Sequence, residues 1–133
     1  MQKIADYKGT LLGHVETVYR PGERDIAIKI VEALGCAISD TGFMGDGDES
    51  FLAVHPNPED RNVQNNAIYM SPMRPEQLAI EQHLAQLSVT DPELSSRLAS
   101  YRTTAKSAPF GVAHFAIRYP SGAAVQRVAD NLE

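Results

Sequence analysis

Apolar and polar positions change period several times along the chain, and each change marks a predicted element. HVETVY, residues 14–19, is rich in β-branched and aromatic side chains that suit a pleated, partly buried surface, and Pro21-Gly22 breaks it. ERDIAIKIVEALG, residues 23–35, switches to helical spacing. Ile26, Ile30 and Leu34 recur every four residues, Ala27 and Val31 widen the stripe, and Gly35 stands where a helix stops. CAISDTGF, residues 36–43, reads as a strand followed by the loop MGDGDE. SFLAVH, residues 50–55, reads as another, ended by HPNPEDRN with its two prolines and two asparagines. NAIYMS, residues 66–71, completes a strand-helix-strand-strand-strand order.

The middle of the chain is helical. Pro75 suits the first turn of PEQLAIEQHLAQL, where a missing N–H costs nothing, and Ile80, Leu84 and Leu87 supply an apolar side. In TDPE, residues 90–93, Thr90 or Asp91 caps a second helix, Pro92 enters its first turn and Glu93 favours its positive end. Leu94, Leu98 and Tyr101 carry its stripe, and TTAKSAP reads as a linker ended by Pro109. A strand, VAHFAIRY (112–119), and a helix, SGAAVQRVADNLE, with Val125, Val128 and Leu132 on one face, close the sequence. The predicted class is α+β: a βαβββ module, two inserted helices, then βα.

Composition narrows the function classes. The 133 residues suffice for one domain, or for two half-domains sharing a core, and no apolar run nears the roughly 18 residues of a membrane span. A formal charge of −5 with scattered basic residues argues against a nucleic-acid surface. Cys36 is the only cysteine, which excludes an intrachain disulfide framework. With an N-terminus that lacks a basic-then-apolar leader pattern, it makes a cytoplasmic setting the expectation. No nucleophile elbow, phosphate-binding glycine loop or paired Cys motif supports a hydrolase, nucleotide-binding or zinc-finger reading.

The chain repeats itself at an offset of 100. LLGHVETVYRPG and GVAHFAIRYPSG each place a His five residues before a Tyr and eight before a Gly: His14, Tyr19 and Gly22, then His114, Tyr119 and Gly122. Internal similarity of this kind means that each unit supplies part of a shared core. Together with EALGC (32–36), FLAVHPNP (51–58) and AHFAIRYPS (113–121), the strand-helix-three-strand order resembles a module of the vicinal oxygen chelate superfamily. That superfamily includes glyoxalases, bleomycin-resistance proteins and extradiol dioxygenases. The resemblance implies a single glyoxalase-like domain over 1–133. Residues 10–73 would form the first module, 74–109 a helical insertion and 110–133 a partial second module.

In that superfamily paired modules curl around a cavity, where a divalent metal (Fe, Zn, Ni or Mn) often polarises a substrate bearing adjacent oxygens. The resemblance maps the two first-strand ligand positions onto His14 and His114. Strand alternation gives rows of His114, Ala116 and Arg118 and of His14, Glu16 and Val18 toward the cavity, with Phe115, Ile117 and Tyr119 packing on helices. Tyr69 stands where a later-strand carboxylate is expected. Two histidines plus Glu16 or Tyr69 make a weak substitute for a three- or four-ligand set.

The remaining candidates divide between function and packing. Glu16 pairs with Arg118 or acts as a ligand or general base, with pairing the safer expectation. Arg118 presents a planar donor fork suited to carboxylate or enolate oxygens. Tyr69 and Tyr19 can donate to a ligand, although packing is commoner. His55 shapes a turn or lines a cavity rim, His83 faces solvent, Cys36 packs, and the acidic loop of Asp46, Asp48 and Glu49 lacks calcium-loop spacing.

Two functions follow. One is a metal-free module that binds a small anionic or oxygen-rich molecule in the cavity, using Tyr69, Arg118 and His55. The other is a metal-dependent lyase, isomerase or dioxygenase with His14 and His114 as ligands, Glu16 as ligand or base and Arg118 orienting an anionic substrate. The repeated histidines favour the second, and the missing carboxylate favours the first. A third expectation is a degenerate module whose role is association. An incomplete second module leaves a sheet edge to cover, so a homodimer completing the sheet or cavity is expected, with no nucleic-acid or membrane partner.

Overall fold

The structure is a computed structural model, and it describes residues 13–42, 50–108, 110–111 and 113–133. Its class is α+β, with a four-stranded mixed sheet and four helices. In chain order these are β1 (His14–Tyr19), α1 (Arg24–Ala33), β2 (Ala37–Asp40), β3 (Leu52–His55) and β4 (Ala67–Pro72). They are followed by α2 (Pro75–Thr90), α3 (Pro92–Ser107) and α4 (Gly122–Leu132). Two compact units emerge. One joins the chain up to Met73 with Tyr119–Glu133, and the other is Arg74–Arg118.

In the first unit the sheet order is β1-β4-β3-β2. β1 runs parallel to β4, and the other two pairings are antiparallel. The parallel pair brings together strands almost 50 residues apart in sequence, which requires a crossover; α1, β2 and β3 provide it. One sheet face carries Tyr19, Leu52, Val54 and Ile68, all buried. Arg24, opening α1, donates to Asp40 Oδ2 at the end of β2 (2.5 Å), on that same face. Asp40 Oδ1 also accepts from the buried Ser50 hydroxyl (2.7 Å). The Ser50 and Gly42 hydrogen bonds, with Arg24, hold the Asp40 carboxyl below its usual range.

α1 ends as its sequence predicts, with Gly35 at φ +79°. Its buried side differs from the expected stripe. Ala27 and Val31 are buried, whereas Ile26 is 56% and Ile30 48% exposed. α1 contacts both β2 and α4, and Ala124 is the buried residue of α4. Small side chains let a helix sit close to its neighbours, so the predicted flank of the stripe became its centre. The same holds for α4, where Val125 and Leu132 remain about half exposed.

In the second unit, α2 and α3 contact one another across a one-residue link. That residue, Asp91, caps α3 by accepting from the Leu94 N–H (3.0 Å), and Pro92 follows it. TTAKSAP is not a linker, because Thr103–Ser107 continue α3. Nothing in that stretch breaks a helix before Pro109, and Lys106 complements the negative end. The predicted strand VAHFAIRY is also corrected, since described residues 113–119 form no strand. β1 becomes a strand by pairing with β4, and the repeat of its sequence has no fourth strand behind it. The MGDGDE loop, with Asp46, Asp48 and Glu49, and Phe43 of the predicted CAISDTGF strand lie outside the described residues.

Candidate functional site

The face of the sheet opposite Tyr19 and Leu52 is open along β1 and closed at its centre, where Ala53, His55 and Ala67 are buried. Strand alternation puts His14, Glu16 and Val18 on it from β1, where all three are exposed. The register sets Ala67, Tyr69 and Ser71 of β4 directly beside them. Ala53 lies opposite Tyr69, and Ser39 opposite Ala53, which extends the same face across β3 and β2.

Two pairs organise this face. The His14 and Tyr69 rings stack with centroids 4.0 Å apart and planes 10° from parallel. Phe51 leans on the other side of the cluster, 4.8 Å from Tyr69 at a 42° tilt. The Tyr69 hydroxyl donates to the Val63 carbonyl (2.7 Å), so the phenol is anchored to the loop before β4 and the ring stays in place. Two residues along, the Ser71 hydroxyl donates to Glu16 Oε1 (2.6 Å). That bond satisfies one carboxylate oxygen and fixes the side chain beside the ring stack. The exposed Glu16 thus has Ser71 as a partner. Tyr69 combines both expected roles, packing and hydrogen bonding, but spends its donor on the backbone.

His55 closes the far end of the face. It is 1% exposed, and its Nε2 lies 3.1 Å from Ser39 Oγ, with donor and acceptor roles set by the tautomer. Among the described residues its buried Nδ1 has no hydrogen-bond partner in either case. Burial, with a smaller contribution from Arg61 against which Asp60 acts, pulls its pKa below 6.5. His55 is therefore a buried neutral ring and not an open rim residue.

A depressed His55 pKa has a stability consequence. The unfolded chain takes up the proton first as pH falls through 6.5, so the folded state loses stability from there down to the folded pKa. Unfolding free energy from urea titrations should fall between pH 7.5 and pH 5.5, and His55→Gln should flatten that fall. Parallel pH profiles for the two proteins would contradict the buried neutral ring.

His114 and Arg118 belong to the second unit, where His114 meets Phe110 edge-on at 6.5 Å. Of the residues expected to pack, Phe115 is about half exposed, while the Tyr119 hydroxyl donates to the Leu34 carbonyl (2.9 Å). Cys36 is buried, which raises its thiol pKa, and His83 is exposed.

Among the described residues no group of three His, Cys, Asp or Glu side chains is gathered so as to hold a metal ion. On the open face His14 is committed to the Tyr69 stack, and Glu16 alone supplies a carboxylate. This donor set does not fit a divalent metal. Sequence reasoning missed Phe51, Ser71 and Ser39. The signal that could have found Phe51 and Ser71 is parity, because both sit an even number of residues from a position already singled out, His55 and Tyr69 respectively.

No family model, curated protein or solved structure matches the chain. Among the described residues no helix is long and apolar enough to cross a membrane.

Proposed function

We propose that this chain is a binding module of the vicinal oxygen chelate kind that captures a small molecule on the open face of its sheet, without metal chemistry. The observation that carries the reading is the His14–Tyr69 stack beside the Ser71-held Glu16. An aromatic pair next to an oriented polar group is what a small-ligand site requires. The strand-helix-three-strand order supports the superfamily reading, and the donor set on the open face supports the metal-free one.

The test is a screen of soluble small aromatic and heteroaromatic compounds, read by amide chemical-shift changes in uniformly labelled protein. Binding members should shift resonances of residues 14–18, 51–55 and 67–71 together. Shifts confined to residues 75–107, or to α1 and α4, would place any binding elsewhere and end this reading.

A further inference from the structure

We infer that the open sheet face selects planar organic cations, such as protonated aryl-amines and amidines, over anions; this rests on the proposal that the face is a ligand site. Within β1–β4, the residues on that face are His14, Glu16, Val18, His55, Tyr69 and Ser71, with Ala or Ser at each remaining position. Their placement follows from the register. Glu16 is the only Asp, Glu, Lys or Arg among them. Asp40 and its partner Arg24 belong to the opposite face, and Arg20 and Arg61 lie beyond the strand ends. Burial keeps His55 from adding a charge at neutral pH.

The geometry suits a flat, positively charged ligand. His14 and Glu16 are two residues apart on one strand, about 7 Å along it. A two- or three-ring ligand is long enough to lie over the His14–Tyr69 stack and place an N–H donor at the carboxylate. Ser71 occupies one Glu16 oxygen (2.6 Å), leaving the second to accept from the ligand. Glu16 favours a delocalised cation by charge and by a charge-assisted hydrogen bond. An anion would meet Glu16 with no opposing Lys or Arg on these strands.

The test compares two tricyclic probes of similar area, proflavine as the cation and anthracene-9-carboxylate as the anion, by fluorescence titration and amide shift mapping at low salt. Proflavine should shift residues 14–18 and 67–71 and bind at least tenfold tighter than the anion. Glu16→Gln should weaken it about tenfold. Asp130→Asn, an equal charge change on exposed α4, should leave it within twofold. Equal weakening by the two variants would mean general attraction to an acidic chain and would overturn the inference, as would tighter binding of the anion at the same residues. If neither probe shifts those residues while other compounds do, the cation preference falls and the ligand site stands. If no compound does, both fall.

Discussion

Leu52→Ala should lower the unfolding free energy by about 3–5 kcal/mol, the largest stability effect we expect from a single truncation in this chain. Leu52 is 0% exposed at the centre of the covered sheet face, between β4 on one side and β2 on the other. Its neighbours on that face, Val54 and Ile68, are held by the sheet and cannot collapse into the space, so a cavity term adds to the lost transfer energy. A domain of this size has roughly 5–15 kcal/mol in total. Urea denaturation followed by circular dichroism gives the number. Ile80→Ala makes the comparison, because Ile80 on α2 is 64% exposed and its truncation should cost about 0.5 kcal/mol or less. Similar losses for the two variants would contradict this location of the core.

The largest effect on binding is expected from Tyr69→Ala. The ring stacks on His14, touches Phe51 and is tethered through its hydroxyl to Val63. Removing it takes away the platform and releases His14 from its orientation. Affinity for compounds that bind the open face should drop by tenfold or more, at least about 1.4 kcal/mol. Tyr69→Phe keeps the platform and loses only the tether. It should cost about 1 kcal/mol of stability with affinity within a few fold. Calorimetric titration separates the two. Unchanged affinity in Tyr69→Ala would remove the ring stack from the site.

The elements that local chemistry decides were legible in the sequence. HVETVY and SFLAVH carry β-branched and aromatic residues, Gly35 ends α1 with a positive φ, and Asp91 caps α3 with its own carboxylate. What depends on distant partners was not. VAHFAIRY has the same strand propensity as HVETVY, but a strand also needs a neighbour to hydrogen-bond, and only HVETVY has β4. Hydropathy ranked Ile26 and Ile30 above Ala27 and Val31, whereas packing of α1 against β2 and α4 buried the smaller residues.

The site was legible in its members more than in its arrangement. Alternation placed His14, Glu16 and Val18 on one row correctly. The parallel β1–β4 register, which sets Tyr69 beside Glu16 and Ser71 beside Val18 and so brings Tyr69 diagonally to His14 and Ser71 to Glu16, joins segments with 47 or more residues between them, and no local pattern encodes it. For the same reason Glu16 was paired in expectation with Arg118, another residue of strand-like alternation, instead of with a serine two places beyond Tyr69. His55 illustrates the limit of local signals: a residue before Pro56 reads as turn, yet the fold buries it against Ser39.

The central claim is that a small molecule sits against the His14–Tyr69 stack. Isotope-filtered nuclear Overhauser measurements on labelled protein, with the tightest-binding screened compound, test it most directly. The account predicts contacts from the compound's ring protons to the rings of His14 and Tyr69 and to the Val18 methyls. Contacts only to side chains of the covered face or of α2 and α3 would contradict it.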